Sequence, residues 1–235
     1  MCIDVNTVDA FALTEKDDTM KKQTRAAIAI GAATLLGLSA CAAGGDDTAG
    51  GDAAENKDLS IAVFNGWPEG EAVSYLWKAI LEDKGYNVEL EYADVTPIFS
   101  GLSTGDYDVA LDGWLPITHA SLMEEYGATI DDLGAWNSEA GLTVAVNADA
   151  PIDSLEELAA NADMFDNRIV GIEPGAGLTE AVMDNTMPTY GLDGMELLTS
   201  STPAMLAELQ AALDNGENIA VTLWRPHWAY DAFDI

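Results

Sequence analysis

The sequence is poor in basic residues, histidine and cysteine. Lys and Arg number 9 against 41 Asp and Glu, so the 235-residue chain carries a formal net charge of −32 at pH 7. This excess of negative charge argues against binding of nucleic acid or anionic lipid headgroups through charge, because both would be repelled. With only two Cys and two His, neither a thiolate metal site nor a paired-His metal site is indicated. We expect no metal and no cofactor.

The N-terminal region contains a targeting segment. "MKKQTR" at 20–25 is a basic n-region, and "AAIAIGAATLLGLSA" at 26–40 is an uncharged h-region, shorter than the roughly 20 residues of a transmembrane helix. It ends in "LSAC", which resembles the lipobox of bacterial lipoproteins. That resemblance implies a lipid on Cys41 and a protein anchored on the extracytoplasmic face of the membrane. The alternative is a cleaved secretory signal that happens to contain Cys.

The composition divides the chain further. Residues 1–19 are polar and acidic, the reverse of an n-region, so we interpret them as a start-site artefact and 20–40 as the signal peptide. Residues 41–57 are rich in Gly, Ala and Asp and predict a flexible tether. Beyond them, strand-like runs alternate with helical patterns, which predicts an α/β fold with parallel strands. We place lobe 1 at 58–146 and lobe 2 at 147–235.

Several Trp residues lie where predicted strands end. Open α/β sheets bind ligands beyond the carboxyl ends of their strands. In "DGWLPITHASL", which starts at residue 112, a His follows the Trp by five positions, between a predicted strand and a predicted helix. A single Trp at a strand end usually packs against the core, but Trp residues at three independent strand ends are harder to explain by packing alone. Trp77 lies mid-helix and is expected in the core. The Trp residues at or near strand ends are Trp67, Trp114, Trp224 and Trp228.

A second signal is the Gly-rich turn "GIEPGAGLTE" at 171–180. Gly175 and Gly177 allow close approach of a ligand to the backbone, and the first N–H groups of the following helix favour an anion. A plain tight turn explains this motif about as well. Together, indoles for a cation and a helix start for an anion suit a zwitterion with a quaternary ammonium and a carboxylate. His119 would donate to the carboxylate. Glycine betaine is the simplest such molecule.

The motifs "GWPEGEAVSYLWKAILEDKGYNVEL", "GWLPITH", "GIEPGAGL" and "RPHW" resemble the OpuAC/ProX-type glycine betaine-binding proteins of ABC transporters. The resemblance covers the chain from about residue 59 to its end. It implies a type II periplasmic-binding-protein fold, a monomer, and partner permease and ATPase subunits. The ligand-binding residues it implies are Trp67, Trp114 and Trp224 for the cation, and His119 with the N–H groups of Gly177 and Leu178 for the carboxylate.

The chain departs from the family pattern in two places. Arg225 follows the last Trp where relatives have a small residue, and we expect it to face solvent. The chain stops at Ile235, earlier than its relatives, and we expect it to be C-terminally truncated. We assign His227 and Trp228 packing roles.

Other functions remain open at this stage. Choline, carnitine or proline betaine could be the ligand, and a sensor lipoprotein could use the same pocket. An enzyme would need an acid–base pair such as His119 with Asp112, or His227 with Asp231. No nucleophile motif supports either pair, so we do not expect an enzyme.

Overall fold

The computed structural model describes residues 57–235 and, of the residues before them, only the backbone of a two-residue strand, β1 (Ile3–Asp4). Apart from this strand and residue 57, four predictions lie outside the described residues. They concern the start-site artefact, the signal peptide, lipidated Cys41 and the tether.

Strands and helices alternate along the described chain, as the sequence predicts. The strands are β2 (Asp58–Phe64), β3 (Asn87–Ala93), β4 (Val109–Ala110), β5 (Gly141–Val146), β6 (Arg168–Val170), β7 (Glu196–Leu198) and β8 (Ala220–Arg225). The α-helices are α1 (Pro68–Asp83), α2 (Val95–Thr104), α3 (Ala120–Tyr126), α4 (Leu155–Leu158), α5 (Gly177–Ala181), α6 (Met187–Thr189), α7 (Thr202–Asn215) and α8 (Ala229–Ala232). Short 3₁₀ segments are Gly127–Thr129 and Ala159–Phe165, and a π-helical segment, Val182–Thr186, joins α5 to α6.

The smaller sheet has the strand order β3-β2-β4, and all its strands are parallel. β2 is central, and its run of apolar residues is buried on both faces, as expected for a parallel strand covered by helices on each side. Ile61 and Val63 pack on one face with Leu81 of α1. Ala62 and Phe64 pack on the other face with Phe99 of α2. This packing on both faces holds the carboxyl end of β2 next to the start of α1.

The larger sheet has the order β1-β5-β8-β6-β7. β8 pairs antiparallel with β5 and parallel with β6, which also pairs parallel with β7. β5 belongs to this sheet, and residues 141–146 pair along their whole length with β8. The lobe boundary between 146 and 147 stays a prediction.

One packing prediction is wrong. Trp77 was expected in the core, but 42 % of its side chain is exposed. α1 instead buries Gly70 and Ser74, one helical turn apart, and the Ser74 hydroxyl donates to the Gly70 carbonyl at 2.6 Å. These small side chains bring the helix close to its neighbours and turn the bulky residues outward. The exposed apolar residues on α1 are Tyr75, Leu76, Trp77 and Ile80.

Residues 57–235 contain neither a membrane-spanning helix nor a metal-binding cluster. None of the helices formed by residues 57–235 has the length and apolar character needed to cross a membrane. The same residues contain no group of three or more His, Cys, Asp and Glu side chains able to hold a metal ion.

The surplus of acidic side chains predicts salt-dependent stability. The self-repulsion of a net charge of −32 destabilises the compact state. KCl screens it, since the Debye length falls from about 10 Å at 0.1 M to about 3 Å at 1 M. We expect the midpoint of thermal unfolding to rise by at least about 3 °C over this range, because about 1 kcal/mol shifts it by about 2–4 °C. At pH 5, closer to the sequence pI of about 4.1, the rise should shrink. An unchanged midpoint at neutral pH would contradict this prediction.

Candidate ligand-binding site

The structure brings the predicted site residues together between the two sheets. All of them except Gly177 line one small cavity of about 10 Å³, a volume that holds about one water molecule. Gly177 lies beside it, adjacent to Leu178. The cavity must widen to admit a larger ligand. Its lining residues are Trp67, Trp114, Thr118, His119, Leu142, Ile172, Leu178 and Trp224.

Trp67 lies at the junction of β2 and α1. It is the N-cap residue of α1, and Pro68 occupies the first helical position, where its missing N–H costs no hydrogen bond. Its indole is 6 % exposed and stacks on Phe64, with ring centroids 5.0 Å apart and planes at 16°. From the larger sheet, Trp224 faces it with a centroid separation of 6.2 Å and a tilt of 57°. The two indoles form a V-shaped aromatic wall.

Trp114 and His119 are joined by reciprocal hydrogen bonds, which explains their five-residue spacing. The His119 N–H donates to the Trp114 carbonyl, and the Trp114 N–H donates to His119 Nδ1, both at 3.0 Å. Burial lowers the pKa of His119 to about 4, so the ring is neutral at pH 7. Since Nδ1 accepts, the ring proton is on Nε2. Nε2 is buried and has no hydrogen-bond partner within the described chain. His119 therefore offers one unused donor at the cavity.

The Gly-rich turn of the second lobe packs against the segment that carries His119. Gly177 is the first residue of α5, and a Cβ placed on it would lie 2.5 Å from both the Cγ2 atom and the carbonyl oxygen of Thr118. The first helical hydrogen bonds run from the N–H groups of Thr179 and Glu180 to the Ala176 carbonyl. The N–H groups of Gly177 and Leu178 therefore precede the hydrogen-bonded turn.

Two buried carboxylates lie behind the indoles. The sequence did not indicate Glu69, and it indicated Asp112 only as a possible acid–base partner of His119. Glu69 Oε1 accepts a hydrogen bond from Trp224 Nε1 at 2.6 Å, and Asp112 Oδ1 accepts one from Trp114 Nε1 at 3.0 Å. Burial and the neighbouring Asp112 charge raise the pKa of Glu69 to about 8. Burial raises the pKa of Asp112 to about 7. The only sequence signal for Glu69 was an acid in the first turn of a helix, which is usually solvated there.

The residues considered for an acid–base pair make other contacts. Asp112 accepts a hydrogen bond from the indole N–H of Trp114. His119 Nδ1 accepts a hydrogen bond from the backbone N–H of Trp114. His227 Nδ1 accepts from the Ala229 N–H at 3.0 Å rather than facing Asp231. The contacts of these side chains provide no catalytic pair.

The remaining residues of "RPHW" surround Trp224. Arg225 is exposed, as expected, and its guanidinium lies 3.7 Å from the centroid of the Tyr230 ring. His227 packs edge-on against Trp224 with centroids 4.7 Å apart, and Trp228 stacks on His227. These contacts agree with the packing roles assigned to His227 and Trp228.

A larger cavity of about 630 Å³ lies beside β4 in the smaller sheet. Trp114 and Thr118 line both cavities, and Glu69 and Asp112 line only the larger one. Its outer wall is the segment 129–137, where the Trp136 indole donates to the Leu111 carbonyl. The two acidic side chains therefore border the indole site from the side of the larger cavity.

Two α/β sheets that enclose an indole-lined cleft define a two-lobed solute-binding protein of the type II periplasmic-binding class. Residues 57–235 match the OpuAC family model, the substrate-binding domain of the ABC-type glycine betaine transport system, and the chain belongs to this family. It is a substrate-binding protein of a glycine betaine- or choline-type ABC transporter. Members of this family are extracytoplasmic binding proteins and not enzymes.

Solved structures show the same fold. The chain is 32 % identical to a glycine betaine/L-proline-binding protein (ProX) from Borrelia burgdorferi, with a TM-score of 0.70, over 76 % of this chain and 67 % of that one. Lactococcal OpuAC in its closed-liganded conformation with glycine betaine is 28 % identical, with a TM-score of 0.69 and coverages of 76 % and 68 %. A choline-binding protein in complex with choline is 28 % identical, with a TM-score of 0.68 and coverages of 76 % and 63 %. The chain thus spans about two thirds of each solved chain.

The close contact at Gly177 predicts how substitution affects the contact between the lobes. In Gly177→Ala the new methyl group would overlap the Thr118 backbone, which costs about 1–3 kcal/mol unless the lobes separate. We expect a lower midpoint of thermal unfolding, a larger radius of gyration in small-angle scattering, or both. Gly175→Ala is the matched control, because a Cβ at Gly175 meets nothing within 4 Å. Indistinguishable behaviour of the two variants would show that the contact is not formed in solution.

Proposed function

We propose that this protein captures glycine betaine between its two lobes and delivers it to the permease of an ABC importer. The observation that supports the proposal most strongly is the convergence of three indoles on one cavity from distant parts of the chain. Trp67 follows β2, Trp114 follows β4 and Trp224 lies on β8. We call these residues the indole cage. A quaternary ammonium has no N–H to donate, so attraction by aromatic faces is its main means of recognition.

The carboxylate of the ligand would be held on the side of the cavity that His119 and Leu178 line. His119 Nε2 supplies a buried donor without a partner in the described chain, and a carboxylate accepting that bond would remove the cost of leaving it unpaired. The N–H groups of Gly177 and Leu178 would add further donors at the start of α5. Glycine betaine is neutral overall, so the net charge of −32 does not repel it. A free phosphate or sulfate would be repelled.

Choline is the second candidate ligand, and the two buried carboxylates are the observation that favours it. Glu69 and Asp112 lie behind the indoles Trp224 and Trp114, where any negative charge they carry would strengthen the attraction for a cation. Choline has no carboxylate to accept from His119, and this feature distinguishes the two ligands. Carnitine and proline betaine carry both groups and belong with glycine betaine.

The remaining parts of the proposal concern the place of the protein in the cell. We place the lipid on Cys41, so that the folded lobes are tethered to the extracytoplasmic face of the membrane by residues 41–57. Partner permease and ATPase subunits would recognise the ligand-bound form, and ATP hydrolysis would take place in the ATPase.

Removal of one wall of the indole cage should weaken binding. We expect Trp114→Ala to reduce glycine betaine affinity by about tenfold or more in calorimetric titrations, because one cation–π contact is worth about 1.4 kcal/mol or above when desolvated. Trp77→Ala is the matched control, since Trp77 is exposed on the outer side of α1 and should leave affinity unchanged. Equal affinities for wild type and Trp114→Ala would remove Trp114 from the binding site.

A second substitution tests the carboxylate end. We expect His119→Ala to weaken glycine betaine by about tenfold while changing choline much less, since only betaine carries the carboxylate that accepts from Nε2. His119→Gln restores a donor and should recover part of the loss. If His119→Ala weakens both ligands equally, His119 contributes only packing against Trp67 and Phe64.

A further inference from the structure

Two carboxylates hold the indoles of the cage by their N–H groups. Glu69 accepts from Trp224 at 2.6 Å and Asp112 from Trp114 at 3.0 Å. In each carboxylate the second oxygen is buried and has no partner within the described chain. Buried polar oxygens left in this state are costly, so their retention beside a binding site calls for an explanation.

The hydrogen bond made by Glu69 joins the two lobes. Glu69 lies in the first turn of α1, which follows the central strand of the smaller sheet, whereas Trp224 lies on β8 of the larger sheet, 155 residues later. Two other contacts also join the two lobes. Trp67 faces Trp224, and a Cβ at Gly66 would lie 3.3 Å from Thr202 Cβ. Among these contacts, the hydrogen bond that Glu69 accepts from Trp224 is the directional one, since a hydrogen bond fixes orientation as well as distance.

We propose that Glu69 is a positioning residue that ties the lobes together through the Trp224 indole and sets the orientation of that wall of the indole cage. Asp112 does the same for Trp114 within the first lobe. The ligand-binding consequence rests on the proposed function above, whereas the hydrogen bond itself can be tested without ligand.

The electrostatics give this arrangement a measurable signature. Glu69 has a pKa raised to about 8 by burial and by the charge of Asp112, and Asp112 has a pKa raised to about 7 by burial. Within residues 57–235, two further titratable side chains make ring contacts with the cage: His119 stacks on Trp67, and His227 lies edge-on to Trp224. Burial lowers the pKa of both to about 4. Above pH 7 the carboxylates alone among these groups therefore titrate.

The sign of the stability effect follows from the direction of the shift. A carboxyl group whose pKa is raised in the folded state stabilises the fold fully below its ordinary pKa and loses that contribution as pH rises through the raised value. The free energy of unfolding should therefore fall as pH rises from about 4.5 to about 8 and then level off, with part of the fall due to Glu69.

The first test follows the indole N–H groups of the full chain by ¹H–¹⁵N NMR, with the Trp224 signal identified by its loss in Trp224→Phe. We expect the Trp224 signal to shift with pH, with a midpoint near 8, and the shift to disappear in Glu69→Gln. Asp112→Asn should move the midpoint to lower pH, because it removes the neighbouring charge that raises the pKa of Glu69. A Trp224 signal that is the same in wild type and Glu69→Gln at every pH would overturn the proposal.

The matched control is Glu71→Gln, two residues away on the same helix. Glu71 is exposed and accepts from the Tyr92 hydroxyl at 2.8 Å, so its replacement should leave the Trp224 signal and its midpoint unchanged. A change in the Trp224 signal equal to that of Glu69→Gln would mean that general charge, rather than the hydrogen bond, is responsible, and would also overturn the proposal.

The second test is a double-mutant cycle on glycine betaine affinity with Glu69→Ala and Trp224→Phe. At pH 9, above the raised pKa of Glu69, its carboxylate is charged, and hydrogen bonds to charged groups are worth enough to change affinity by about tenfold or more. We expect Glu69→Ala to do so at this pH in the wild-type background. In Trp224→Phe, which has no N–H, the same substitution should have little effect. Equal losses in both backgrounds would show that Glu69 does not act through Trp224. Absence of binding by wild type would contradict the proposed function alone, because the NMR test needs no ligand.

Discussion

The geometry of the site depends on one aromatic stack at the carboxyl end of β2. Phe64, Trp67 and His119 lie in near-parallel planes, with His119 and Trp67 at 12° and Phe64 and Trp67 at 16°. Phe99 closes the stack edge-on to His119, with centroids 5.2 Å apart. The stack unites the end of a strand, the start of a helix and the loop after β4, so a disturbance of any one of them reaches the others. Its burial also keeps His119 neutral.

The sequence predicts the elements that depend on local signals. α1 begins at Pro68, a residue favoured at the first helical position, and α7 ends at Asn215, before Gly216 in the left-handed region that favours glycine at helix ends. β2 and β8 follow from their apolar runs, and the Trp residues at their ends were recognisable because strand ends in such sheets are ligand sites. These features rest on residues close together in the chain, which is why they could be predicted.

The features that could not be predicted depend on distant partners. Trp77 has the neighbours of a core residue, but its exposure follows from the packing of Gly70 and Ser74 on the other side of α1. Glu69 has the pattern of a solvated acid at a helix start, and it is buried only because β8 brings Trp224 against it. The membership of β5 in the larger sheet likewise depends on β8, which lies some 80 residues further along the chain.

The distribution of the six Trp residues has a consequence for spectroscopy. Trp67 and Trp224 are 6 % and 3 % exposed, whereas Trp77, Trp136 and Trp228 are 42–49 % exposed. Indoles in water emit at longer wavelengths than indoles in an apolar environment, so the emission band combines two populations. A cationic aqueous quencher such as caesium, which the net charge of −32 does not repel, would quench the exposed indoles first, and the remaining short-wavelength emission would come from the buried indoles of the site. A change in the emission of the buried indoles at the cleft could then be measured with little emission from the exposed indoles, and without a label on the protein.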